Sequence, residues 1–300
     1  MNEAMRLIAV ATLLLAAGLV APPPRATNAR PPEIGGKVSA ELRSDVSSIQ
    51  PGKPFTLGVR FKIAPKWHIY WKNPGDSGIS TEVKFDLPPG FKVDELRFPT
   101  PRVLRLPGQI TCYGYEGEVM LLATVTPPEG LSSGSVQKMK ARADWLECEE
   151  ACVPGNADVT LELPVSDRAP PANQELFQVW SQRMPAHMGP GPWPLMSRPS
   201  GKGRAYELQV HWKGAPKIVE FIPGPSDDVS FHDIKVQADG NKSTITFRVE
   251  PLGGHTMPTS PIRCVVIASN HEEVPPTGLS FDIPMADAAS LSSSKSSGKP

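Results

Sequence analysis

The feature that most constrains the fold is a two-residue alternation of apolar and polar side chains between about residues 37 and 165. Within the segment P-F-T-L-G-V-R-F-K-I (54–63), apolar side chains recur at every second position, namely Phe55, Leu57, Val59, Phe61 and Ile63. Successive side chains of a β-strand point to opposite faces of the sheet. The alternation therefore predicts a strand with one buried face.

Similar patterns predict further strands at 66–71, 81–87, 118–125, 136–146 and 158–165. The turn-forming stretch N-P-G-D-S-G (73–78) separates two of them. The 35 prolines and 25 glycines make up a fifth of the 300 residues, which favours short strands joined by turns. Seven or more short strands over this length predict a β-sandwich of immunoglobulin-like type at 37–165.

The rest of the chain predicts a second domain. Prolines recur through residues 166–203, which indicates a linker, and the segment 172–184 predicts a short helix. In that helix Asn173 is the expected cap, and Leu176, Phe177 and Trp180 are the residues expected to pack inward. Alternation resumes over 204–285, and the polar tail 286–300 is expected to be disordered. The predicted fold class is all-β, with two immunoglobulin-like sandwiches in tandem.

The N-terminus has the layout of a secretory signal. Arg6 precedes the apolar run 7–21, and small residues around Thr27 and Ala29 allow cleavage after Ala29. This predicts a signal peptide at 1–29 and a mature protein outside the cytoplasm, with an uncleaved membrane anchor as the alternative.

Composition and motifs exclude several classes of function. The 31 basic and 31 acidic residues balance, and no basic stripe indicates nucleic-acid binding. The chain has no G-x-S-x-G, H-E-x-x-H or phosphate-loop pattern, so hydrolase and nucleotide-dependent functions lack support.

A cysteine pair is the main candidate for chemistry. Cys148 and Cys152 lie in W-L-E-C-E-E-A-C-V-P-G (145–155), in or beside the connection between two predicted strands. The pair has three interpretations: a redox-active disulfide, a structural disulfide, or half of a metal site. A bridge over so short a loop removes only about 2 kcal/mol of unfolded-chain entropy, against about 5 for a loop from Cys112 to Cys264. Short, accessible disulfides are also the labile kind, so we rank the redox role first, the structural role second and metal binding last.

The residues around the pair carry further expectations. Glu147, Glu149 and Glu150 are expected to raise the pKa of the cysteine thiols, because nearby negative charge disfavours a thiolate. In W-H-I-Y-W (67–71), strand packing explains both tryptophans, and His68 and Tyr70 are expected at the surface unless they lie near the cysteines.

Two other groups of residues are predicted to play smaller parts. Cys264 is expected in a strand core. The stretch M-P-A-H-M (184–188) offers Met184, His187 and Met188 as soft ligands for Cu(I), although gap-filling methionines are the commoner case.

Three ordered segments carry a family resemblance: W-H-I-Y-W-K-N-P-G-D-S-G-I-S-T (67–81), Y-G-Y-E-G-E-V (113–119) and D-W-L-E-C-E-E-A-C-V-P-G (144–155). With them, residues 37–165 resemble the amino-terminal periplasmic domain of the thiol:disulfide interchange protein DsbD. The likeness is greatest to the branch that includes the copper-tolerance protein ScsB. Residues 204–285 resemble the domain that follows in ScsB-like proteins.

The resemblance implies a periplasmic redox module. Cys148 and Cys152 match the family's cysteine pair, which takes electrons from a membrane-embedded domain and a thioredoxin-like domain and passes them to periplasmic disulfide proteins. Tyr113 and Gly114 match a loop that caps the cysteines in the family, so Cys112, Tyr113, Gly114 and Tyr115 form the predicted cap loop. Cys152 is the cysteine that the resemblance favours for the mixed disulfide.

Two departures from the family pattern affect this prediction. The 300 residues include neither a membrane-spanning nor a thioredoxin-like domain, so we expect a separate protein, a membrane electron transporter or thioredoxin-like protein, as donor. Cys112 stands where the family usually has another residue. A free, partly buried thiol is favoured there over transient pairing with Cys148 or Cys152.

The predicted function is therefore thiol–disulfide exchange of the protein-disulfide reductase type, with no cofactor and no bound metal. Two alternatives remain: a non-catalytic secreted binding module with a permanent disulfide, and a copper-handling protein.

Overall fold

Ten strands in the first part of the chain form two packed sheets. The computed structural model describes residues 36–189, 195–270 and 277–285; the predicted signal peptide (1–29) and tail (286–300) lie outside these described residues. The strands are β1 (Val38–Ser44), β2 (Phe55–Ile63), β3 (His68–Gly75), β4 (Glu82–Asp86), β5 (Lys92–Val93), β6 (Arg102–Leu106), β7 (Ile110–Glu116), β8 (Glu118–Thr126), β9 (Val136–Cys148) and β10 (Cys152–Pro164).

Strand pairing in these two sheets is antiparallel throughout. The first sheet has the order β1-β2-β8-β5, and the second has the order β10-β9-β3-β7-β6. Strand β4 pairs with the earlier part of β9, next to the segment that β3 covers. Strand β3 is thus central, with β9 on one side and β7 on the other, and β10 is an edge strand.

One apolar core lies between the two sheets. All five alternate residues of β2 that the sequence pattern selects are buried, and the ring of Phe61 meets that of Trp145 edge-on at 5.5 Å. Ile69 and Trp71 enter the same core from β3. Burying each such side chain contributes about 1.5–3 kcal/mol, which is why the period-two pattern selects the packed face.

A second pair of sheets follows in the chain. Its strands are β11 (Ala186–Met188), β12 (Leu195–Ser200), β13 (Gly203–His211), β14 (Ile218–Ile222), β15 (Val229–Asp239), β16 (Lys242–Pro251), β17 (Ile262–Ser269) and β18 (Thr277–Ile283). The sheets have the orders β11-β18-β17-β14 and β12-β13-β16-β15. Phe221, Phe247 and Phe281 pack in the core between them, as does the buried Cys264. The predicted all-β sandwich class is confirmed.

The segment predicted as a linker, 166–203, contains helix α1 (Gln174–Gln182) and the strands β11 and β12. Phe177 and Trp180 are the buried residues of the helix, and they join the first core. Asn173 precedes the helix with a φ of 51° and makes no side-chain cap. Its amide instead donates to the carbonyl oxygen of Ser44 at 2.9 Å, which fastens the helix start to the end of β1.

The two sandwiches contact each other. Ile222, Val265 and Ile267 from the second pair of sheets belong to the first core. The amide of Asn73 donates to the carbonyl oxygen of Pro223 at 2.9 Å, and Arg105 forms an ion pair with Glu220. In the described part of the chain, no helix has the length and apolar character needed to cross a membrane.

Candidate functional site

A disulfide joins the two longest strands of the second sheet at the point where the chain turns. Cys148 is the last residue of β9 and Cys152 is the first of β10, and the two are directly paired in the antiparallel register. Their sulfurs are bonded at 2.00 Å and their Cα atoms are 4.2 Å apart. Glu149, Glu150 and Ala151 form the turn between them. Because the same two strands pair continuously as far as Val136 and Pro164, the bridge closes a hairpin that its backbone already holds.

The two cysteines differ sharply in exposure. Cys148 is 2% exposed, whereas Cys152 is an exposed residue at the start of the edge strand β10. Side chains alternate along β9, so Trp145 points into the first core while Leu146 and Cys148 point to the outer face of the sheet. There Cys148 packs in what we call the outer cluster, whose members are Tyr70, Cys112, Cys148, Leu104, Leu106, Ile110 and Leu146. A thiolate from another protein therefore has access to the Cys152 side of the bond.

Tyr70 and His68 lie at the disulfide, which corrects the prediction that both are surface residues. Tyr70 is 1% exposed, and its hydroxyl donates to Cys148 Sγ at 3.2 Å and lies 3.8 Å from Cys152 Sγ. His68 is 4% exposed and faces Cys148 across the β3–β9 pairing, with Nε2 3.3 Å from Tyr70 Oη.

The prediction was wrong because β3 is a central strand that is covered on both faces. The run of bulky residues at every position of 67–71 was the available signal, since such runs are typical of strands buried on both sides. The closeness of His68 and Tyr70 to the cysteines depends on the pairing of β3 with β9, two distant parts of the chain, and the local sequence does not specify that pairing.

Burial sets the protonation states of Tyr70 and His68. Burial raises the pKa of Tyr70, and the neighbouring Cys112 is a smaller cause in the same direction. It lowers the pKa of His68, and Glu116 opposes that effect only in part. At neutral pH the tyrosine hydroxyl thus keeps its proton and can donate it in a hydrogen bond, while the imidazole is mainly uncharged.

The turn after β3 packs over the outer cluster. Gly78 has a φ of +107°, and a Cβ atom built there would lie 2.3 Å from Cε1 of Tyr70. Only glycine combines this backbone conformation with so close an approach to the ring. The thiol of Cys112 donates to the carbonyl oxygen of Ser77 in the same turn at 3.3 Å. The N-P-G-D-S-G stretch thus covers Tyr70 and Cys112 as well as connecting strands.

The predicted cap loop is a strand in this structure. Cys112, Tyr113, Gly114 and Tyr115 all belong to β7 and pair with β3 and β6. Tyr115 points to the first core, where its hydroxyl donates to the carbonyl oxygen of Pro99 at 2.7 Å. Tyr113 shares that face, and burial raises its pKa to about 12. The two tyrosines therefore point away from the disulfide, which corrects their predicted position over the cysteines, and Tyr70 stands beside the sulfurs instead.

Cys112 and Gly114 face the outer side of the sheet. Cys112 is fully buried, and burial raises the pKa of its thiol. Cys148 pairs with His68, which in turn pairs with Glu116 of β7. Cys112 therefore lies two strands across from Cys148 and four residues farther along β7, well over about 10 Å away. A disulfide requires Cα atoms within about 7 Å. Cys112 therefore cannot bond to Cys148 in this arrangement, which favours the buried free thiol over transient pairing.

The three glutamates near the pair occupy different environments. Glu147 is fully buried on the inner face of β9, opposite to Cys148, where its carboxylate accepts from Trp145 Nε1 at 3.1 Å and from the backbone amide of Lys37 at 3.4 Å. Glu149 and Glu150 are exposed in the turn between the cysteines. Glu147 thus has a structural role that its sequence position did not indicate.

This difference gives a stability prediction. Replacing Glu147 with alanine leaves the buried indole N–H of Trp145 and the backbone amide of Lys37 without their acceptor. We therefore expect the free energy of unfolding to fall by about 2–3 kcal/mol. The matched change Glu150→Ala, at an exposed turn position, should stay within about 0.5 kcal/mol of the wild type. Urea unfolding of both variants measures the difference. Equal stabilities would show that the Glu147 hydrogen bonds contribute nothing.

The residues considered for copper do not converge. Met184 packs against the first core. His187 Nδ1 lies 3.4 Å from Ser280 Oγ, and Nε2 lies 3.6 Å from a carboxylate oxygen of Asp282. Met188 follows it in β11, where successive side chains point to opposite faces. Within the described ranges, no group of three or more histidine, cysteine or acidic side chains is placed to hold a metal ion.

The β-sandwich fold and the hairpin disulfide are together consistent with a module for thiol–disulfide exchange. Residues 38–164 match the family model described as thiol:disulfide interchange protein DsbD, N-terminal. The first sandwich is therefore similar to the DsbD amino-terminal domain family, which confirms the resemblance seen in the sequence.

The solved structures agree on the fold. The chain is similar to the crystal structure of the N-terminal periplasmic domain of ScsB from Proteus mirabilis, with a TM-score of 0.59 and 16% sequence identity. That match covers 84% of this chain and 95% of the other, so it includes both sandwiches. At this identity the likeness shows the fold alone. No curated protein sequence matched the chain.

Proposed function

We propose that this protein relays electrons between a reductant and disulfide-containing proteins of the periplasm through the reversible Cys148–Cys152 bond. The observation that carries the proposal is the asymmetry of the bridge: an exposed Cys152 is bonded to a buried Cys148 in a domain similar to the DsbD amino-terminal family. One sulfur is open to a partner, and the other is held inside the protein to complete the exchange.

The chemistry follows from this asymmetry. A donor thiolate attacks Cys152 Sγ, a new bond joins the donor to Cys152, and the electron pair of the broken bridge stays on Cys148 Sγ. A second donor thiol then attacks the donor sulfur of the mixed disulfide. This step leaves both cysteines of this chain reduced and the donor oxidised. The same two steps in reverse transfer the electrons to the disulfide of a client.

The partners belong to the classes that such chemistry requires. The donor is a membrane electron transporter or a thioredoxin-like protein, and the clients are periplasmic proteins with disulfides. The family that the first sandwich resembles and the signal peptide predicted at 1–29 both support the periplasm as location. The second sandwich, predicted at 204–285, supports the first through its apolar contacts.

Glu149 and Glu150 regulate the site by their charge. Both are exposed in the turn next to Cys152, where negative charge disfavours a thiolate. In the free module the Cys152 thiol is therefore a poor nucleophile. A docked partner that neutralises the two carboxylates increases the reactivity of this thiol. Cys112 and Gly114 contribute to the cover on the outer face of the sheet.

Trapping with single-cysteine variants tests the proposal. The probe is thioredoxin that lacks its resolving cysteine and whose remaining cysteine is held in a mixed disulfide with a chromogenic thiol. Attack by a thiolate of this chain releases that thiol and forms the trapped complex. Cys148→Ser, which keeps the exposed Cys152, is expected to form a stable mixed disulfide with it. Cys152→Ser, which keeps the buried Cys148, is expected to form little or none. Cys112→Ser in the wild-type background is the control and should not alter the trapping.

A redox titration separates the proposal from the alternative of a permanent disulfide. We expect the native bridge to equilibrate with a thioredoxin couple. A bridge that stays oxidised until the protein unfolds, together with no trapped complex, would refute the relay and leave a secreted binding module.

A further inference from the structure

Opening the disulfide places a negative charge on a buried sulfur atom. When a partner attacks Cys152, the departing sulfur is that of Cys148, which is 2% exposed among the apolar residues of the outer cluster. Water has little access to this position, and a buried thiolate is strongly disfavoured unless it accepts a hydrogen bond. The exchange therefore requires a donor inside the protein.

Tyr70 is placed to be that donor. Its hydroxyl lies 3.2 Å from Cys148 Sγ and is closer to this sulfur than to Cys152 Sγ, at 3.8 Å. The ring has little freedom to move, because Gly78 packs against its edge and the side chain is 1% exposed. Sulfur is a weak acceptor in a disulfide and a stronger one as a thiolate, so this hydrogen bond strengthens as the bond breaks.

His68 completes the arrangement. Its Nε2 lies 3.3 Å from Tyr70 Oη. A hydroxyl has a single proton, so while Tyr70 donates to the sulfur, the histidine nitrogen must be the donor to Tyr70. Chains of hydrogen bonds polarise one another, so a donor behind the hydroxyl makes it a better donor to sulfur.

We propose that Tyr70 is a catalytic residue of the exchange, which stabilises the Cys148 thiolate by hydrogen bonding, and that His68 is its positioning residue. The inference rests on the proposed function. In the step concerned, the bond from donor sulfur to Cys152 forms, the Cys148–Cys152 bond breaks, and the electron pair goes to Cys148 Sγ. The Tyr70 hydroxyl then donates a hydrogen bond to the Cys148 thiolate until that thiolate takes a proton from solvent. In the reverse direction the same hydrogen bond holds Cys148 as the thiolate that attacks the mixed disulfide.

Among the residues that the structure describes, few titratable groups lie around His68 and Tyr70. Glu116 faces His68 from β7, and Cys148 faces it from β9. Cys112 lies beside Tyr70, and Asp76 acts on Cys112 from the covering turn. Glu116 favours the charged imidazole, whereas burial disfavours it more strongly. The histidine therefore begins to take up a second proton only below its ordinary pKa, where it becomes a stronger donor to Tyr70.

The direct test measures the pKa of the Cys148 thiol. In the Cys152→Ala background, NMR of isotopically labelled cysteine β-carbons follows this thiol as the pH rises. Tyr70→Phe removes only the hydroxyl and is expected to raise the thiol pKa by about one pH unit. In the otherwise wild-type protein, Tyr70→Phe is expected to slow reduction of the bridge by reduced thioredoxin about tenfold. Tyr206→Phe is the control: it removes a hydroxyl that donates to Pro284 in the other sandwich and should change neither value.

Variants of His68 separate positioning from packing. His68→Gln keeps an N–H near the place of Nε2 and is expected to retain most of the exchange rate, whereas His68→Leu is expected to lose about threefold. The ratio of the wild-type rate to the His68→Gln rate should rise as the pH falls below the ordinary histidine pKa, because only the imidazole gains a proton. An unchanged Cys148 pKa in Tyr70→Phe would overturn this inference even if exchange proceeds. Failure of thioredoxin to open the bridge would refute the proposed function, and the pKa measurement would still decide the role of Tyr70.

Discussion

Replacing Cys148 and Cys152 together with alanine is expected to abolish exchange with thioredoxin while lowering the free energy of unfolding by only about 2 kcal/mol. The bridge closes a loop of a few residues, so it restricts the unfolded chain little. In the folded state, β9 and β10 pair from end to end without help from the sulfurs. Exchange assays and urea unfolding of the same variant measure the two effects.

The matched control for the cysteine variant is Cys112→Ala, which removes a buried thiol from the same cluster but no covalent bond between chain segments. It should retain the exchange activity. A loss of more than about 4 kcal/mol in the double variant would contradict the prediction, since that size of effect is typical of a structural disulfide.

Replacing Gly114 with valine is expected to have the largest effect on stability, a loss of about 3 kcal/mol or more. A Cβ atom at this position would lie 2.3 Å from the carbonyl oxygen of Ile69, which is backbone in the neighbouring strand and cannot rotate away. Strands β3 and β7 would have to separate. Gly114 is paired with Tyr70, so the same shift would move the tyrosine away from the disulfide and slow the exchange.

Gly130→Ala is the control for this variant, because a Cβ atom at Gly130 has no neighbour within 4 Å. It should change stability by less than about 1 kcal/mol. Thermal or urea unfolding gives the stability, and thioredoxin reduction gives the rate. A stable Gly114→Val variant with a normal rate would show that the close approach of the two strands is unnecessary.

Patterns of neighbouring residues predicted the features of this fold that neighbouring residues determine, such as strands, turns and the buried face of a strand. The alternation in β2 selects its buried face, and the strands on either side of the cysteines place the pair in a hairpin. The ordered motifs around Tyr113 and Cys148 indicated the family. Each of these features depends on neighbouring residues in the chain, so one sequence is sufficient to recognise it.

The environment of the disulfide depends on contacts between distant segments, which the sequence does not reveal. Tyr70 reaches Cys148 across 78 positions of the chain because β3 lies beside β9. The same central position of β3 buries His68. Alternation placed Tyr113 and Tyr115 on one face of β7, but nothing local says that this face is turned to the core. Asn173 likewise is a residue type that often caps helices, yet its side-chain amide donates to the carbonyl oxygen of Ser44 at the end of β1.

The hairpin that carries the disulfide has one further consequence. Since the pairing from Val153 and Glu147 to Pro164 and Val136 does not involve the sulfurs, we expect the oxidised and reduced proteins to share one backbone shape. Under the proposed relay, an electron donor and a client that dock at this edge would then meet the same surface. In that relay, the relative reduction potentials of the two proteins would decide the direction of transfer, and a change in conformation would not be needed.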